Sequence, residues 1–327
     1  MVKRTACIYT VNNGVGLIAD LSLIQDLLHD HYDITVAYLN QVISLPYGQD
    51  LFLSKEYDVG IHLQDFNPAL LQHNKKNILI ANEEWTGSRK IFEIHKFDKV
   101  ITKSTLGAEL LKPYNSNVIN CGFISKDKYN SAIKKQNTFL HVAGKSIQKG
   151  TELVLESFTH NCRDYNLTVL ESNCKHRQVY KSSNINYIHD FLPEENVIEH
   201  YNKNLFHICP SYYEGWGHYV YEGLSTGALL YVTRLPMFLE WLDPDLVIFL
   251  DCEFIKHDEN IEFFKASHFN WKFPYKFGWK ARRESFDENI VAHEKYLETH
   301  NPHKVRAFFK NLNKKNSKKL LKELTDV

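Results

Sequence analysis

The sequence predicts an α/β protein with two parallel-sheet domains. Its 327 residues suit two α/β domains of about 150 residues each. Residues 205–233 read as apolar strand, glycine-containing loop, short helix and apolar strand, which is the repeating unit of a parallel sheet. Residues 5–29 begin in the same way, with a strand, a turn containing Gly14 and Gly16, and an amphipathic helix.

The composition is that of an ordinary globular protein. Hydrophobic residues make up 43% of the chain, charged residues 24%, and the formal net charge is zero, which gives no reason to expect a nucleic-acid partner. The six cysteines form no C-x-x-C pair, which argues against a zinc site or disulfide framework and for a reducing compartment. No long apolar signal region or membrane-spanning run is present, so we expect a cytoplasmic protein.

In the first half, short apolar runs alternate with helical segments. The predicted strands are residues 5–11, 34–39, 57–63, 77–82, 97–103 and 117–121. The predicted helices are 17–29 and 105–111, and Ser104 precedes the second as an N-cap. The polar, lysine-rich residues 125–136 predict a linker.

Two places in this half could carry function. The turn with Gly14 and Gly16 lies at the carboxyl end of a parallel strand, where α/β proteins usually bind ligands, although it is not the dinucleotide motif G-x-G-x-x-G. Glu83 and Glu84 follow the fourth strand, and either could orient an acceptor hydroxyl or act as a base. The alternatives are a plain turn and a solvated acidic turn.

The second half repeats the alternation. The predicted strands are residues 138–143, 166–170, 184–188, 205–209 and 228–233. Helices are predicted up to residue 158, over 191–201, over 218–226 and from 280 onward. The aromatic stretch 271–279 predicts buried packing or an acceptor platform.

A lysine pair follows the first strand of this half. Lys145 and Lys149 lie in a loop that begins with Gly144 and enters a helix. Two cations beside exposed backbone N–H groups suit a diphosphate, whose negative charge increases as it leaves a sugar. Solvent-facing lysines are the alternative.

The loop after the strand 205–209 contains a second cluster. Glu214, Gly215, Trp216 and Gly217 stand in it, and Glu222 lies on the following helix. The glycine loop and helix N-terminus suit an anion, whereas carboxylates suit the hydroxyls of a ribose or a sugar ring.

The pattern P-S-x-x-E-G-x-G-x4-E-x4-G, from Pro210 to Gly227, resembles the E-x7-E signature of retaining glycosyltransferases. These are the nucleotide-sugar-dependent, family 4-like enzymes of the GT-B fold. Trp216 stands where the family usually has Phe, and Gly223 where it commonly has Ala. The resemblance implies two Rossmann-like domains facing across a cleft, with C-terminal helices crossing back to the first. We place the acceptor-side domain at 1–130, the nucleotide-sugar domain at 131–280 and the helices at 281–327.

The resemblance also implies roles. Glu214 would face the transferred sugar, Glu222 would bind the ribose, and Lys145 and Lys149 would hold the diphosphate. Trp216 and the glycines 14, 16, 144, 215 and 217 would line the donor site. The family often has a His that contacts the sugar. This chain has Glu83 and Glu84 at that place, and His62 is the nearest His that could substitute.

The implied donor is a UDP- or GDP-sugar, and no metal or prosthetic group is expected. The acceptor would be a glycan, a lipid-linked molecule or a protein. The lysine-rich C-terminal helix is a solvated face or a peripheral contact with an anionic membrane. The D-x-D string from Asp243 to Asp245 favours a turn over a metal site. The rival functions are an inactive GT-B-like binding module, a structural partner protein, and an epimerase or phosphorylase of the same fold.

Overall fold

The structure, a computed structural model, describes residues 3–12, 16–39, 56–83, 90–172, 180–189, 192–256 and 277–326. Their contacts divide the chain into two units. Unit 1 holds the described residues up to Ile124 and from Asn313 onward, and unit 2 holds those from Ser125 to Leu312. The domain limits at 130 and 280 stay predictions about functional domains.

Unit 1 is built on a six-stranded parallel sheet. Its strands are β1 (Arg4–Thr10), β2 (Tyr32–Tyr38), β3 (Tyr57–Leu63), β4 (Asn74–Ile80), β5 (Lys99–Thr102) and β6 (Val118–Asn120). Its first helices are α1 (Gly16–Leu28) and α2 (Thr105–Leu111), and the turns Pro68–His73 and Ile91–Lys96 are 3-10 helical. The strand order is β2-β1-β3-β4-β5-β6, so the direction of winding changes between β1 and β3.

Local sequence explains the bounds of α2. The Ser104 side chain accepts a hydrogen bond from the backbone N–H of Gly107, which satisfies one of the unpaired donors of the first turn. The N-cap that the sequence predicted is therefore confirmed. The helix buries Ala108 and Leu111, and Leu111 joins the core cluster that contains Leu79 and Val100.

The chain ends in unit 1. The helix α9 (Pro302–Thr325) begins in unit 2, and its residues from Asn313 belong to unit 1. The Asn316 amide donates to the carbonyl oxygen of Phe123 at 2.8 Å, and the Tyr32 hydroxyl donates to that of Leu324 at 2.9 Å. Buried side chains recur along α9 at helical spacing, which leaves the opposite face to solvent.

Unit 2 contains a second six-stranded parallel sheet. Its strands are β7 (Gln136–Gly144), β8 (Leu167–Glu171), β9 (Ile185–Ile188), β10 (Asn204–Cys209), β11 (Leu229–Thr233) and β12 (Val247–Leu250). An antiparallel hairpin of β13 (Cys252–Lys256) and β14 (Phe277–Ala281) accompanies it. The helices of this unit, besides the first part of α9, are α3 (Thr151–His160), α4 (Glu194–Lys203), α5 (His218–Ser225), α6 (Pro236–Trp241), α7 (Arg283–Val291) and α8 (His293–Leu297).

The strand order of this sheet locates its ligand edge. The order is β12-β11-β10-β7-β8-β9, so winding changes direction between β7 and β10. Phe139 of β7 stacks on Phe206 of β10 at 4.7 Å between ring centroids, and both belong to the core below the sheet edge. In open parallel sheets the loops that follow such a pair of strands form the usual ligand-binding place.

Candidate active site

Two loops meet at the switch point of unit 2. The loop after β7 runs from Gly144 to Gly150, and the loop after β10 begins at Pro210. The backbone N–H of Tyr212 donates to the carbonyl oxygen of Gln148 at 2.8 Å. Gly150 has a φ of +67°, and any side chain there would clash with the carbonyl oxygen of Pro210. A glycine is therefore required for the two loops to approach this closely.

This approach brings Lys149 against Glu214. The Lys149 Nζ atom donates to Glu214 Oε1 at 2.6 Å, and only 14% and 7% of the two side chains are exposed. The Ser211 hydroxyl donates to the same carboxylate oxygen at 2.6 Å. The ion pair is thus nearly buried, and its carboxylate has a second hydrogen bond that offsets the cost of burial.

Tyr219 completes this cluster from α5. Lys149 Nζ lies 3.4 Å from the centre of the Tyr219 ring, a cation–π contact, and the Tyr219 hydroxyl is 2.6 Å from Ser211 Oγ. Burial raises the pKa of Tyr219 well above its ordinary value, and the nearby Cys209 and Glu214 add to the effect. Tyr219 therefore stays a neutral phenol that supports both the lysine and the serine.

Gly217 places the N-terminus of α5 beside this cluster. Its φ of +82° is left-handed, and a Cβ atom there would lie 2.9 Å from the ring of Phe238 and 3.5 Å from Glu214. The N-terminal end of a helix carries a partial positive charge. The backbone N–H groups at this helix end and the Lys149 ammonium are donors that can contact an anionic ligand.

Glu222 lies on the same helix, and 15% of its side chain is exposed. Its Oε1 atom is 3.9 Å from the ammonium of Lys128. Burial, followed by the negative charge of Glu222, raises the pKa of Tyr201 well above its ordinary value. Tyr201 is thus a neutral phenol near the Glu222 carboxylate.

The remaining unit 2 candidates lie at different depths. Lys145 is exposed, and Gly144 before it has a φ of +59°, where an added Cβ atom would meet nothing within 4 Å. Gly215 is buried. Trp216 packs inside the unit, where its ring stacks on Tyr221 at 4.0 Å and its Nε1 donates to Ser125 Oγ at 3.0 Å. The structure therefore brings Lys149 and Glu214 together, with Tyr219 beside them, and uses Trp216 in the packing around them.

Comparison with known proteins rests on structure. No family model matches the chain, and no curated protein sequence matches it. The lipopolysaccharide outer core galactosyltransferase WaaB is similar with a TM-score of 0.63 and 10% identity, over 98% of this chain and 99% of that one. A trehalose-6-phosphate synthase is similar with a TM-score of 0.66 and 8% identity, over 98% and 99%.

A third solved structure is the pneumococcal O-GlcNAc transferase GtfA in complex with UDP and GlcNAc. The TM-score is 0.59 at 12% identity; the match covers 84% of this chain and 58% of that one, so this chain spans little more than half of it. The shared features are two Rossmann-like domains with parallel sheets and a helical C-terminus. This chain has the GT-B fold.

In this GT-B chain, His62 lies inside unit 1. Its ring stacks on Tyr9 at 4.5 Å, meets the edge of Phe97, and has Nε2 at 3.2 Å from Asn77 Oδ1. Burial lowers the pKa of His62 to about 3 although the hydrogen bond to Asn77 opposes the shift, so the ring is neutral at physiological pH. The structure thus gives His62 packing partners, and its predicted contact with an acceptor stays a prediction.

Glu83 is fully buried at the start of α2. The Ser104 hydroxyl donates to Glu83 Oε1 at 3.4 Å, and a Cβ atom at Gly107 would lie 2.8 Å from the carboxylate. A carboxylate at this place stabilises the positive end of the helix. Gly16, the first residue of α1, is exposed. Gly14 and Glu84 lie outside the described residues, and the roles predicted for all four stay predictions.

Neither a metal site nor a membrane span is found in the part of the chain that the structure describes. Over those residues, no group of three or more His, Cys, Asp or Glu side chains could hold a metal ion. Asp243 accepts a hydrogen bond from the backbone N–H of Asp245 at 3.0 Å, as a turn requires. None of the described helices is both long enough and apolar enough to cross a bilayer.

Sequence reasoning missed three side chains of the site. Ser211 stands only within the motif, Tyr219 carries no predicted role, and Lys128 lies in the predicted linker. Tyr219 could have been predicted as a site residue, because it is an aromatic residue with a polar hydroxyl in the first turn of a helix that follows a glycine loop. For Lys128 the sequence held no signal, because its partners are distant in the chain.

Proposed function

We propose that the protein is a glycosyltransferase that moves a sugar from a nucleoside-diphosphate sugar to an acceptor hydroxyl. The observation that carries the proposal is the Lys149–Glu214 contact at the switch point between β7 and β10. It joins a cation and a carboxylate from two loops at the edge where parallel sheets bind ligands. The resemblance to the E-x7-E signature assigns roles to these same residues, and the GT-B fold supports them by analogy.

Lys149 is the proposed phosphate contact. An ammonium group has three donors, so Lys149 can hold Glu214 and a phosphate oxygen together. The N-terminus of α5 and the exposed Lys145, after Gly144, add positive charge as the diphosphate leaves. These groups neutralise the leaving group without a metal or a prosthetic group. Activity that survives a chelator is the expected result.

Glu222 is the proposed ribose contact, and Glu214 is the proposed contact of the transferred sugar. Ionised carboxylates accept hydrogen bonds from hydroxyls, which are the groups that both rings offer. Gly215 and Gly217 bring the backbone close to the donor, and Trp216 supports the loop from behind. We infer retention of configuration from the E-x7-E resemblance, with the departing diphosphate assisting attack on its own face.

On the acceptor side the proposal is broader. The donor is a UDP- or GDP-sugar, and the acceptor is a glycan, a lipid-linked molecule or a protein. GtfA is described with UDP and GlcNAc, and WaaB as a lipopolysaccharide galactosyltransferase, so both donor and acceptor classes have precedents in the fold. The proposed acceptor-side residues are His62, Glu83 and Glu84, while Gly14 and Gly16 are proposed for the donor site. We propose a cytoplasmic protein.

The exposed face of α9 supports peripheral contact with an anionic membrane. Residues 302–322 include no Asp or Glu. The exposed lysines of this helix are 304, 310, 314, 315, 318, 319 and 322. Each lysine near such a surface contributes about 1 kcal/mol. Replacing lysines 314, 318 and 322 with Gln should abolish sedimentation with anionic vesicles, while the same change at the exposed lysines 112, 134 and 181 should not.

The first test is thermal stabilisation by a panel of nucleoside diphosphates and their sugars. A ligand at 100 times its dissociation constant adds about 2.7 kcal/mol of stability. One nucleotide should stabilise the wild-type protein, and Glu222→Ala and Lys149→Ala should lose the shift. Lys134→Ala, at an exposed lysine of the same unit, is the matched control and should keep it.

Turnover then separates the enzyme from its rivals. Product formation from the stabilising nucleotide sugar, with the anomeric configuration read by NMR, is the expected result. Stabilisation without turnover, in the presence of glycan and lipid-linked acceptors, would favour the inactive binding module. No stabilisation by any member of the panel would contradict the donor-site assignment.

A further inference from the structure

A buried lysine lies beside the proposed ribose contact. Lys128 comes from the segment that precedes β7, and only 9% of its side chain is exposed. Its ammonium is 2.7 Å from Glu194 Oε1 and 3.9 Å from Glu222 Oε1. A buried ammonium requires carboxylate partners, and Lys128 has one at the start of α4 and one on α5.

The backbone of Lys128 is fixed from both sides. Its N–H donates to Ser225 Oγ at 2.9 Å, and its carbonyl oxygen accepts from the Asn202 amide at 2.7 Å. The Ser225 hydroxyl in turn donates to the carbonyl oxygen of Glu222 at 2.6 Å. The ammonium therefore has a defined position relative to the helix that carries Glu222.

Lys128 interacts differently with the two carboxylates, because its ammonium is closer to Glu194 than to Glu222. The contact with Glu194 is a short ion-paired hydrogen bond, although 53% of the Glu194 side chain is exposed. The 3.9 Å separation from Glu222 is too long for a hydrogen bond, so Lys128 attracts that carboxylate by charge and leaves its acceptor sites for a ligand.

We infer that Lys128 is a positioning residue for the nucleoside half of the donor. Its charge holds the Glu222 carboxylate in the orientation that accepts hydrogen bonds from the ribose hydroxyls. The inference rests on the proposed function, because it takes Glu222 as the ribose contact. It predicts that Lys128 affects nucleoside recognition and leaves recognition of the diphosphate intact.

The test measures how strongly the protein distinguishes ribose from a sugar without hydroxyls. Calorimetric titration would use UDP and GDP, their 2′,3′-dideoxy forms and inorganic pyrophosphate. Hydrogen bonds to a charged group correspond to about tenfold or greater discrimination in the wild-type protein. Lys128→Met should reduce this ratio to below about threefold, as Glu222→Gln should, and should change pyrophosphate affinity by no more than about twofold.

Two further variants separate positioning from folding. Lys128→Arg keeps the charge and should keep the discrimination. Glu194→Gln removes the other partner and should also keep it, since Lys128 still attracts Glu222. Unchanged pyrophosphate affinity in Lys128→Met shows that this variant is folded.

The outcomes are distinct. If Lys128→Met distinguishes the nucleoside diphosphates from their dideoxy forms as well as wild type, while Glu222→Gln does not, the inference is wrong and the proposed function stands. Loss of discrimination in Glu194→Gln also overturns it, because Lys128 would then act through α4. A wild-type protein that binds no nucleoside diphosphate, or does not distinguish the dideoxy forms, overturns the donor site and the inference together.

Discussion

The substitution Lys149→Met tests whether the Lys149–Glu214 pair is a structural unit. Methionine retains most of the apolar volume of lysine and removes its charge. Glu214, with 7% of its side chain exposed, then loses its ion pair and keeps the hydrogen bond from Ser211. A buried carboxylate without a cation is expensive because little water reaches it.

The geometry sets the size of the effect. Removing one partner of a buried ion pair costs about 3–5 kcal/mol, and the Ser211 hydrogen bond places this pair at the lower end, about 3 kcal/mol. For a domain of about 150–250 residues, each kcal/mol shifts the melting temperature by about 2–4 °C. We therefore expect Lys149→Met to melt about 6–12 °C below wild type by scanning calorimetry without ligand.

Two controls make this result interpretable. The double variant Lys149→Met with Glu214→Gln has no uncompensated charge, so it should regain most of the lost stability. Lys126→Met removes a lysine of the same unit whose contact with Glu194 is 3.6 Å long and half exposed, and it should cost less than about 1 kcal/mol. The reasoning would be refuted if Lys149→Met were as stable as Lys126→Met. It would also be refuted if the double variant were no more stable than Lys149→Met.

Two other predictions concern backbone shape and pH. Gly150→Ala should lower the free energy of unfolding, measured by denaturant titration, by several kcal/mol, because φ is +67° and the new methyl group would clash with Pro210. Gly144→Ala has a similar φ of +59° and no atom within 4 Å of the new methyl group, so it should lower this free energy by only about 1–2 kcal/mol. Because the folded pKa of His62 is lowered to about 3, the unfolded chain takes up this proton first as pH falls below about 6.5, and stability decreases by about 1.4 kcal/mol per pH unit. His62→Phe should remove the contribution of His62 to this pH dependence when the free energy of unfolding is measured between pH 6.5 and 3. Burial also lowers the pKa of His207 to about 3, so the contribution of His207 should remain. An unchanged slope in His62→Phe would contradict the assignment.

Local chemistry made parts of the fold predictable. The strand 57–63 and the helix 105–111 were predicted with the bounds that the structure has, and the Ser104 cap was predicted with them. Alternating apolar residues, a polar cap and a short helix all act within one or two turns of the chain. Glycine positions were equally informative, since Gly217 and Gly227 both have the positive φ that only glycine adopts easily.

The site was predictable only in part, for a reason that Trp216 illustrates. The family resemblance implied contact with the donor, and in the structure its indole stacks on Tyr221 in the interior of unit 2. Tyr219 shows the reverse, because a helix residue with no predicted role lies under the Lys149 ammonium. Which way a side chain points at a loop–helix junction depends on neighbours that are distant in sequence.

The lysines show in the same way that residues distant in sequence decide which side chains are buried. Lys126, Lys128, Lys145 and Lys149 all stand in polar loops, and nothing local distinguishes them. In the structure Lys145 is exposed, while Lys128 and Lys149 are nearly buried against Glu222 and Glu214. A buried ammonium is stable only where a carboxylate from another segment meets it, so the two lysines that gain a defined geometry are those opposite the glutamates of the motif. The E-x7-E spacing thus places one carboxylate in the loop before α5 and the other on α5. The topology of the sheet then determines which lysines lie opposite these two carboxylates.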